Sequence, residues 1–225
     1  MSGKDSMKND ATLHGEKISI PPTILFSLIG NHSDVRKAVS SDFKSVGDRI
    51  YLCGESHHEL GASELSYMLR DESNGKSGIG GRVPQIDPNR NLAMYRALTN
   101  AMEHNLVASA HDCSDGGLVV SLAECCFGSN SGAEVDISSI MSDCDQIDAW
   151  GALFGESLGR ILVSVKLDDC EAFEANMAGH ACYDLGHVVD GDKILISNGA
   201  DSLISSSMSE LRGAWKGTLD GGGPQ

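Results

Sequence analysis

Apolar residues recur along the chain with two periods, one typical of strands and one typical of helices. Short apolar or alternating runs, bounded by glycine or polar turns, predict strands. These runs are "ISIPPTILFSLIG" at 18–30, "GDRIYLCG" at 47–54, "LVASAHD" at 106–112, "GAEVDI" at 132–137, "GRILVSV" at 159–165 and "CYDLGHVVDGDKILIS" at 182–197. The first is predicted to be a buried strand behind a Pro-Pro turn. The last is predicted to be two strands about a "DGD" turn.

Helical spacing is clearest in two segments. Residues 89–106 carry an apolar stripe at 92, 94, 95, 98, 101 and 102, and Asn105 is a suitable stop. Residues 118–127 place apolar side chains at 118, 119, 122, 123 and 126, so this helix is predicted to pack with one face on the sheet. Weaker patterns predict helices within 34–43 (capped by Asp34), 59–69, 142–157 and 168–179, and a short helix that contains Trp215.

The order of these elements predicts the fold class. Strands and helices alternate without strict βαβ regularity, so we expect an α/β chain of the α+β type, with a mixed β-sheet and packed helices. Residues 71–90 are glycine-rich and poor in apolar residues, which indicates a surface loop. Its "GKS" is not a P-loop, because no glycine stands five residues before Gly75 and no buried strand leads into it.

Composition and charge exclude several classes of function. Thirty-two acidic residues against seventeen basic ones give a net charge of -15, which would repel nucleic acid and anionic lipid, so neither is an expected partner. No apolar run reaches the roughly 20 residues of a membrane span, and the N-terminus lacks the apolar stretch of a signal peptide, so a cytoplasmic protein is expected. Seven scattered cysteines without C-x-x-C spacing predict reduced thiols in the core and no zinc site.

The segment "HDCSDGG", residues 111–117, is the most site-like. It joins a predicted strand to a predicted helix, whose first backbone N–H groups suit an anion. Gly116 and Gly117 permit close approach of a ligand, and Ser114 or Asp115 can cap the helix. Carboxylates repel a bare phosphate, so the acids here favour a magnesium-nucleotide. The other interpretation is that Asp115 only caps the helix and the glycines only allow the turn.

Two further segments are candidates. "FGESLGR" places Glu156, Ser157 and Arg160 around Gly159, where the arginine could grip a phosphate. The alternative there is a C-cap glycine with a surface Arg-Glu pair. In "LGASEL", Gly61 allows close approach, and Ser63 or Glu64 either caps the next helix or touches a ligand.

Taken together, these segments resemble the phosphoribosylformylglycinamidine synthase family, within the superfamily of aminoimidazole ribonucleotide synthetase. "SGKDSM", "GDRIYLCG", "ELGASE", "VASAHDCSDGGLVVSLAE", "GESLGR" and "ELRGAWKGTL" occur in the order typical of its C-terminal end, and "AHD-x-SDGGL" is the most specific. Ala62 departs from the pattern, since a second glycine is expected there. Selenophosphate synthetase and a hydrogenase-maturation protein are the alternatives within the superfamily.

The resemblance implies a domain organisation. Residues 1–32 resemble the end of the second nucleotide-binding domain, and residues 33–225 resemble the C-terminal α/β domain. Within the latter, the glycine-rich composition of 216–225 predicts a flexible tail. We therefore expect a fragment without independent activity, whose role is either catalytic within the whole enzyme or confined to holding a nucleotide and packing.

The resemblance also implies a reaction, its cofactors and its partners. The family uses ATP, with ADP as product, and Mg²⁺, to convert formylglycinamide ribonucleotide to the amidine with ammonia from a glutaminase domain or subunit. The remaining domains of the enzyme are thus expected partners. Asp112 is the expected Mg²⁺ ligand, and no catalytic residue is assigned. The predicted nucleotide or phosphate set is Lys4, Ser6, Gly61, Ser63, Glu64, His111, Ser114, Asp115, Gly116, Gly117, Glu156, Ser157 and Arg160.

Overall fold

The computed structural model describes residues 2–4, 10–19, 25–32, 34–69, 81–144 and 146–217. These residues divide into two compact units, Met1–Ala38 and Val39–Gln225. The predicted boundary between residues 32 and 33 stays a prediction. Of the predicted tail, residues 218–225 lie outside the described part of the chain.

The first unit consists of two strand pairs. Strand β1 (Ser2–Lys4) pairs antiparallel with β4 (Leu25–Ser27), and β2 (Asp10–Leu13) pairs antiparallel with β3 (Glu16–Ser19). His14 and Gly15 join β2 to β3 with φ angles of 53° and 84°, the left-handed conformations that a tight two-residue hairpin turn requires.

Two predictions for this unit are wrong. The strand expected over 18–30 is not one buried strand, because β3 ends at Ser19 and the side chains of Leu28 and Ile29 are 81% and 94% exposed. Residues 20–24 of that prediction lie outside the described residues. The helix expected from Asp34 is only a 3-10 turn at Val35–Lys37, which Asp34 caps by accepting from the Arg36 amide.

The second unit is built on a mixed seven-stranded sheet, which confirms the predicted fold class. Its strands are β5 (Arg49–Cys53), β6 (Ser109–Asp112), β7 (Gly132–Asp136), β8 (Ile161–Val165), β9 (Cys182–Val189), β10 (Lys193–Asn198) and β11 (Asp201–Ser207). They lie in the order β11-β10-β7-β9-β5-β8-β6. All neighbours are antiparallel except β7 and β10, which are parallel.

Helices cover both faces of this sheet. The described helices of this unit are α1 (Glu64–Met68), α2 (Pro88–Glu103), α3 (Gly117–Ser129), α4 (Ser138–Asp143), α5 (Ala149–Phe154), α6 (Cys170–Asn176) and α7 (Met208–Gly217). Alternation along β5 explains the two layers. Ile50 and Leu52 join the core under α3 and α5, whereas Tyr51 and Cys53 join the core under α2 and α6.

The predicted stripe of α3 is confirmed. Leu118, Leu122, Ala123 and Cys126 are buried in the larger core, and Val119 packs against it. Burial of each leucine contributes roughly 2 kcal/mol to folding. The helix therefore holds the loop before it in a fixed place at the end of β6.

The chain also differs from the prediction in the second unit. The helix expected over 142–157 is divided into α4 and α5. Strands β9 and β10 form as predicted about the "DGD" turn but do not pair, because β7 lies between them. Strand β11 was not predicted. Among the described residues, no helix is long and apolar enough to cross a membrane.

Candidate functional site

The loop of "HDCSDGG" leaves the edge strand β6 and enters α3. Gly116 is the N-cap residue with φ 80°, and Gly117 begins the helix with φ 70°. Both angles favour glycine. A Cβ atom on Gly117 would also lie 2.6 Å from the carbonyl oxygen of Gly155, so the start of α3 and the end of α5 approach closely. The predicted caps Ser114 and Asp115 are wrong, since neither is the N-cap residue.

Glu156, which is distant in sequence, accepts a backbone hydrogen bond at the start of this helix. Its Oε1 accepts a hydrogen bond of 2.9 Å from the Gly116 amide and another of 2.9 Å from the Glu64 amide. The Gly117 amide donates to the carbonyl oxygen of Ser114, 3.0 Å away. The expectation that these glycine amides are open to a phosphate is therefore wrong for this conformation, because the chain already pairs both.

Asp112 and Ser114 lie, with Asp115, in the part of the loop that faces solvent. The Ser114 hydroxyl donates to Asp112 Oδ2. This bond, more than the nearby His111, lowers the pKa of the Asp112 carboxyl against a smaller opposing effect of burial. The Asp112 side chain is 72% exposed. An ionised, accessible carboxylate thus lies at the end of β6.

The His111 side chain lies beside Asp112 and contacts two carboxylates. Its Nε2 lies 2.8 Å from Glu124 Oε2 on α3, and its Nδ1 lies 3.5 Å from Asp112 Oδ1. The imidazole side chain is 20% exposed. His111 therefore links the strand to the helix and orients Asp112, and its predicted contact with a nucleotide stays a prediction.

The loop opens onto a cleft of about 420 Å³. Eight of its lining residues come from the predicted segments: Asp112, Cys113, Ser114, Asp115, Glu156, Leu158, Gly159 and Arg160. Tyr95 of α2, which belongs to the predicted apolar stripe, lines it as well. A larger groove of about 660 Å³ lies over β7, β9 and β10, and none of the predicted site residues line it.

Arg160 is a core residue. Its side chain is almost wholly buried, and Nη1 donates to Ser56 Oγ at 3.2 Å and to the Ala152 carbonyl at 3.1 Å. Nη2 donates to the Gly155 carbonyl. Burial lowers the pKa of the guanidinium. The alternative of a surface Arg-Glu pair is therefore wrong. Both terminal nitrogens of the guanidinium donate to the chain itself, whereas the buried Nε has no hydrogen-bond partner among the described residues.

Several other predicted site residues hold loops in place. Ser157 is buried, and its Oγ accepts from the His57 amide at 3.0 Å and donates to the His57 carbonyl at 3.3 Å. Ser63 is the N-cap residue of α1 and accepts from the Ser66 amide at 3.2 Å, which confirms the capping alternative. The Gly61 amide donates to the Arg82 carbonyl at 2.9 Å.

The other predicted site residues are Glu64, Lys4 and Ser6. Glu64 is exposed, and its amide rather than its carboxylate contributes to the site. Lys4 belongs to β1 in the first unit by its backbone, while its side chain and the whole of Ser6 lie outside the described residues. The structure thus brings together the segments 111–117, 61–64 and 156–160.

The sequence of the second unit matches a known family. Residues 45–197 match the family described as AIR synthase related protein, C-terminal domain. This match spans more than half of the chain. The chain therefore belongs to the AIR synthase-related proteins, a superfamily of ATP-dependent enzymes, through this C-terminal domain.

Solved structures share the fold at low identity. From Thermotoga maritima, phosphoribosylformylglycinamidine synthase II, PurL complexed with FGAR and PurL complexed with ATP match with TM-scores of 0.64, 0.65 and 0.58 at 17–18% identity. They cover 79% of this chain, which spans only 27–30% of theirs. E. coli HypE, a hydrogenase maturation protein, matches at 15% identity with a TM-score of 0.52, over 76% of this chain and 51% of its own.

Proposed function

We propose that this chain supplies the C-terminal domain of a phosphoribosylformylglycinamidine synthase. In this proposal, the complete enzyme uses ATP and glutamine-derived ammonia to convert formylglycinamide ribonucleotide to the amidine in purine biosynthesis. The 225-residue chain forms no amidine alone. The remaining domains and a glutaminase domain or subunit are its partners. The family match and the order of the sequence motifs support this assignment, and the PurL complexes with FGAR and ATP agree with it in fold.

The observation that carries the proposal is the Asp112–Ser114 pair at the mouth of the cleft. The hydrogen bond from Ser114 keeps the Asp112 carboxyl ionised, and its exposure leaves oxygen atoms free to bind a cation. The described residues contain no group of three His, Cys, Asp or Glu side chains that could hold a metal alone. Mg²⁺ commonly takes one or two carboxylates, and phosphates and water complete its shell, so the single carboxylate fits.

The roles of the chain's own residues follow. Asp112 would hold Mg²⁺, which offsets the negative charge of nucleotide phosphates. Ser114 orients Asp112 in this conformation and would offer its oxygen to a phosphate. Glu156, which lines the cleft, fixes the distance between the starts of α1 and α3. Asp115 adds negative charge to the rim, which disfavours a phosphate without its metal.

The gene offers the sharpest test of the proposed enzyme. The reading frame is expected to continue upstream of Met1 through nucleotide-binding domains of the same superfamily. An in-frame stop codon directly upstream would contradict the proposal. The purified chain, supplied with formylglycinamide ribonucleotide, ATP, Mg²⁺ and ammonium, is expected to give no amidine, and turnover would contradict the proposal that it is incomplete.

A second candidate is a nucleotide-holding module without catalytic contact. It is favoured by the engagement of Arg160 and Glu156 in internal hydrogen bonds, which leaves the cleft with few free groups to act on a substrate. Titration of the chain with Mg-ADP separates the two functions. Saturable binding by the chain alone supports the holding module, whereas binding that needs the upstream domains supports a shared catalytic site.

A further inference from the structure

Two cysteines face each other near the cleft. Cys53 is the last residue of β5, Cys182 is the first of β9, and the two are direct partners in the antiparallel register. Their Sγ atoms lie 3.8 Å apart. All seven cysteines of the chain are free thiols in this structure.

The backbone register suits a covalent link between them. The Gly54 amide donates to the Ala181 carbonyl at 2.9 Å, which makes Gly54 and Ala181 a hydrogen-bonded pair. The adjacent pair, Cys53 and Cys182, is then a non-hydrogen-bonded pair, in which Cα atoms lie about 4.5 Å apart. Disulfides span Cα separations of about 4.4–6.8 Å. Little backbone movement is therefore needed to join the two sulfurs.

The two thiols differ in access. Cys53 is fully buried, and its hydrogen bond with Cys182, together with burial, raises the pKa of its thiol. Cys182 is partly exposed. An oxidant from solvent therefore meets Cys182 first, and Cys53 is held in place to react second.

We propose that Cys53 and Cys182 form a reversible disulfide when the protein meets a small-molecule disulfide. The Cys182 thiolate attacks one sulfur of the oxidant, forms a mixed disulfide and expels one small thiolate. The Cys53 thiol then attacks Cys182 Sγ and gives its proton to the second small thiolate, which leaves as a thiol. Two protein thiols are oxidised, and one small disulfide is reduced to two thiols.

The link would tighten one wall of the candidate cleft. Gly54 follows Cys53, and a Cβ atom at Gly54 would lie 2.9 Å from the Gly159 carbonyl. Two residues further on, Ser56 accepts a hydrogen bond from the buried Arg160. Pinning the end of β5 to β9 is therefore expected to slow amide hydrogen exchange in residues 54–60.

The test uses the whole chain with oxidised glutathione as the probe. Before alkylation, the expected product is about 2 Da lighter than the reduced chain, because two hydrogens are lost. After alkylation under denaturing conditions, it has lost two of its seven titratable thiols and yields a peptide that links Cys53 to Cys182. Dithiothreitol should restore both thiols. Cys53→Ser and Cys182→Ser should each abolish the link, whereas Cys170→Ser, at another partly exposed thiol, should leave it intact.

Three results would overturn the proposal. Seven free thiols after oxidation would do so, as would a mixed disulfide that persists on Cys182 or a link that joins another pair of cysteines. If the disulfide forms but amide hydrogen exchange in residues 54–60 is unchanged, the proposed effect of the disulfide on the cleft wall is wrong. None of these readouts depends on nucleotide binding.

Discussion

Glu156 Oε1 lies 2.9 Å from the Gly116 amide nitrogen, so a carboxylate from a distant loop occupies the start of α3. An incoming phosphate would meet this carboxylate first. Negative charge at a helix N-terminus is stabilising, and the same Oε1 also accepts from the Glu64 amide, so one side chain ties two helix starts together. The exposed polar side chains of the loop are those of Asp112, Ser114 and Asp115.

This arrangement predicts the cost of removing Glu156. Glu156→Ala deletes two hydrogen bonds to a charged acceptor and should lower the free energy of unfolding by about 3 kcal/mol. Glu156→Gln keeps an oxygen acceptor and should cost about 1 kcal/mol. Urea denaturation measures both. The matched control is Glu64→Gln, at an exposed carboxylate, with an expected change within about 0.5 kcal/mol. Equal values for Glu156→Ala and the control would show that the two bonds do not hold the loop.

Arg160 is expected to stabilise the fold in the absence of any ligand. Arg160→Lys loses the planar fork that reaches Ser56, Ala152 and Gly155, and should lower the free energy of unfolding by about 3 kcal/mol. Arg90→Lys, at an arginine with a 68% exposed side chain, is the control and should change it by less than about 0.5 kcal/mol. Thermal and urea melts without ligand measure the difference. A stable Arg160→Lys variant would contradict the structural role.

Ala62 lies in a conformation that favours glycine. Its φ is 60°, in the left-handed region, at the position where the resemblance predicts a second glycine. Ala62→Gly should therefore raise the free energy of unfolding by about 0.5–1 kcal/mol, because relief of the strain exceeds the entropy cost of glycine. Ala93→Gly, in the exposed face of α2, should instead lower it by about 1 kcal/mol. Destabilisation by Ala62→Gly would show that the backbone at residue 62 is not strained.

The sequence predicts most elements of the second unit because their apolar periods match their burial. The stripe of α3 and the alternation along β5 are examples. It does not predict that β7 separates β9 from β10, since a turn of the right composition does not determine which strands pair. Asp112 and Ser114 could be identified as site candidates from the sequence, because they lie where a predicted strand meets the loop before a predicted helix. The internal roles of Glu156 and Arg160 could not, because they depend on contacts with residues far away in the chain.

The Asp112–Ser114 bond predicts a pH dependence. The folded-state pKa of Asp112 lies below its unfolded value, so its contribution to stability is present above about pH 4 and is lost as the pH falls through the folded pKa. Ser114→Ala removes the largest cause of this shift and should reduce the loss of stability on acidification below about pH 4. Melting temperatures between about pH 2.5 and pH 7 measure this. Ser142→Ala, at a serine that donates to a backbone carbonyl, is the control. Parallel curves for both variants and the unsubstituted chain would contradict the prediction.

The most direct test of the proposed site is nucleotide titration of Asp112→Asn with and without Mg²⁺. It is done on the full-length protein encoded by the reading frame that contains this chain, and ligand-free melts control for folding. Because the carboxylate acts through the metal, Asp112→Asn should weaken Mg-nucleotide binding far more than binding of the metal-free nucleotide. Ser114→Ala should cost about 1 kcal/mol in both conditions. If Asp112→Asn binds Mg-nucleotide as tightly as the unsubstituted protein, the magnesium site is contradicted.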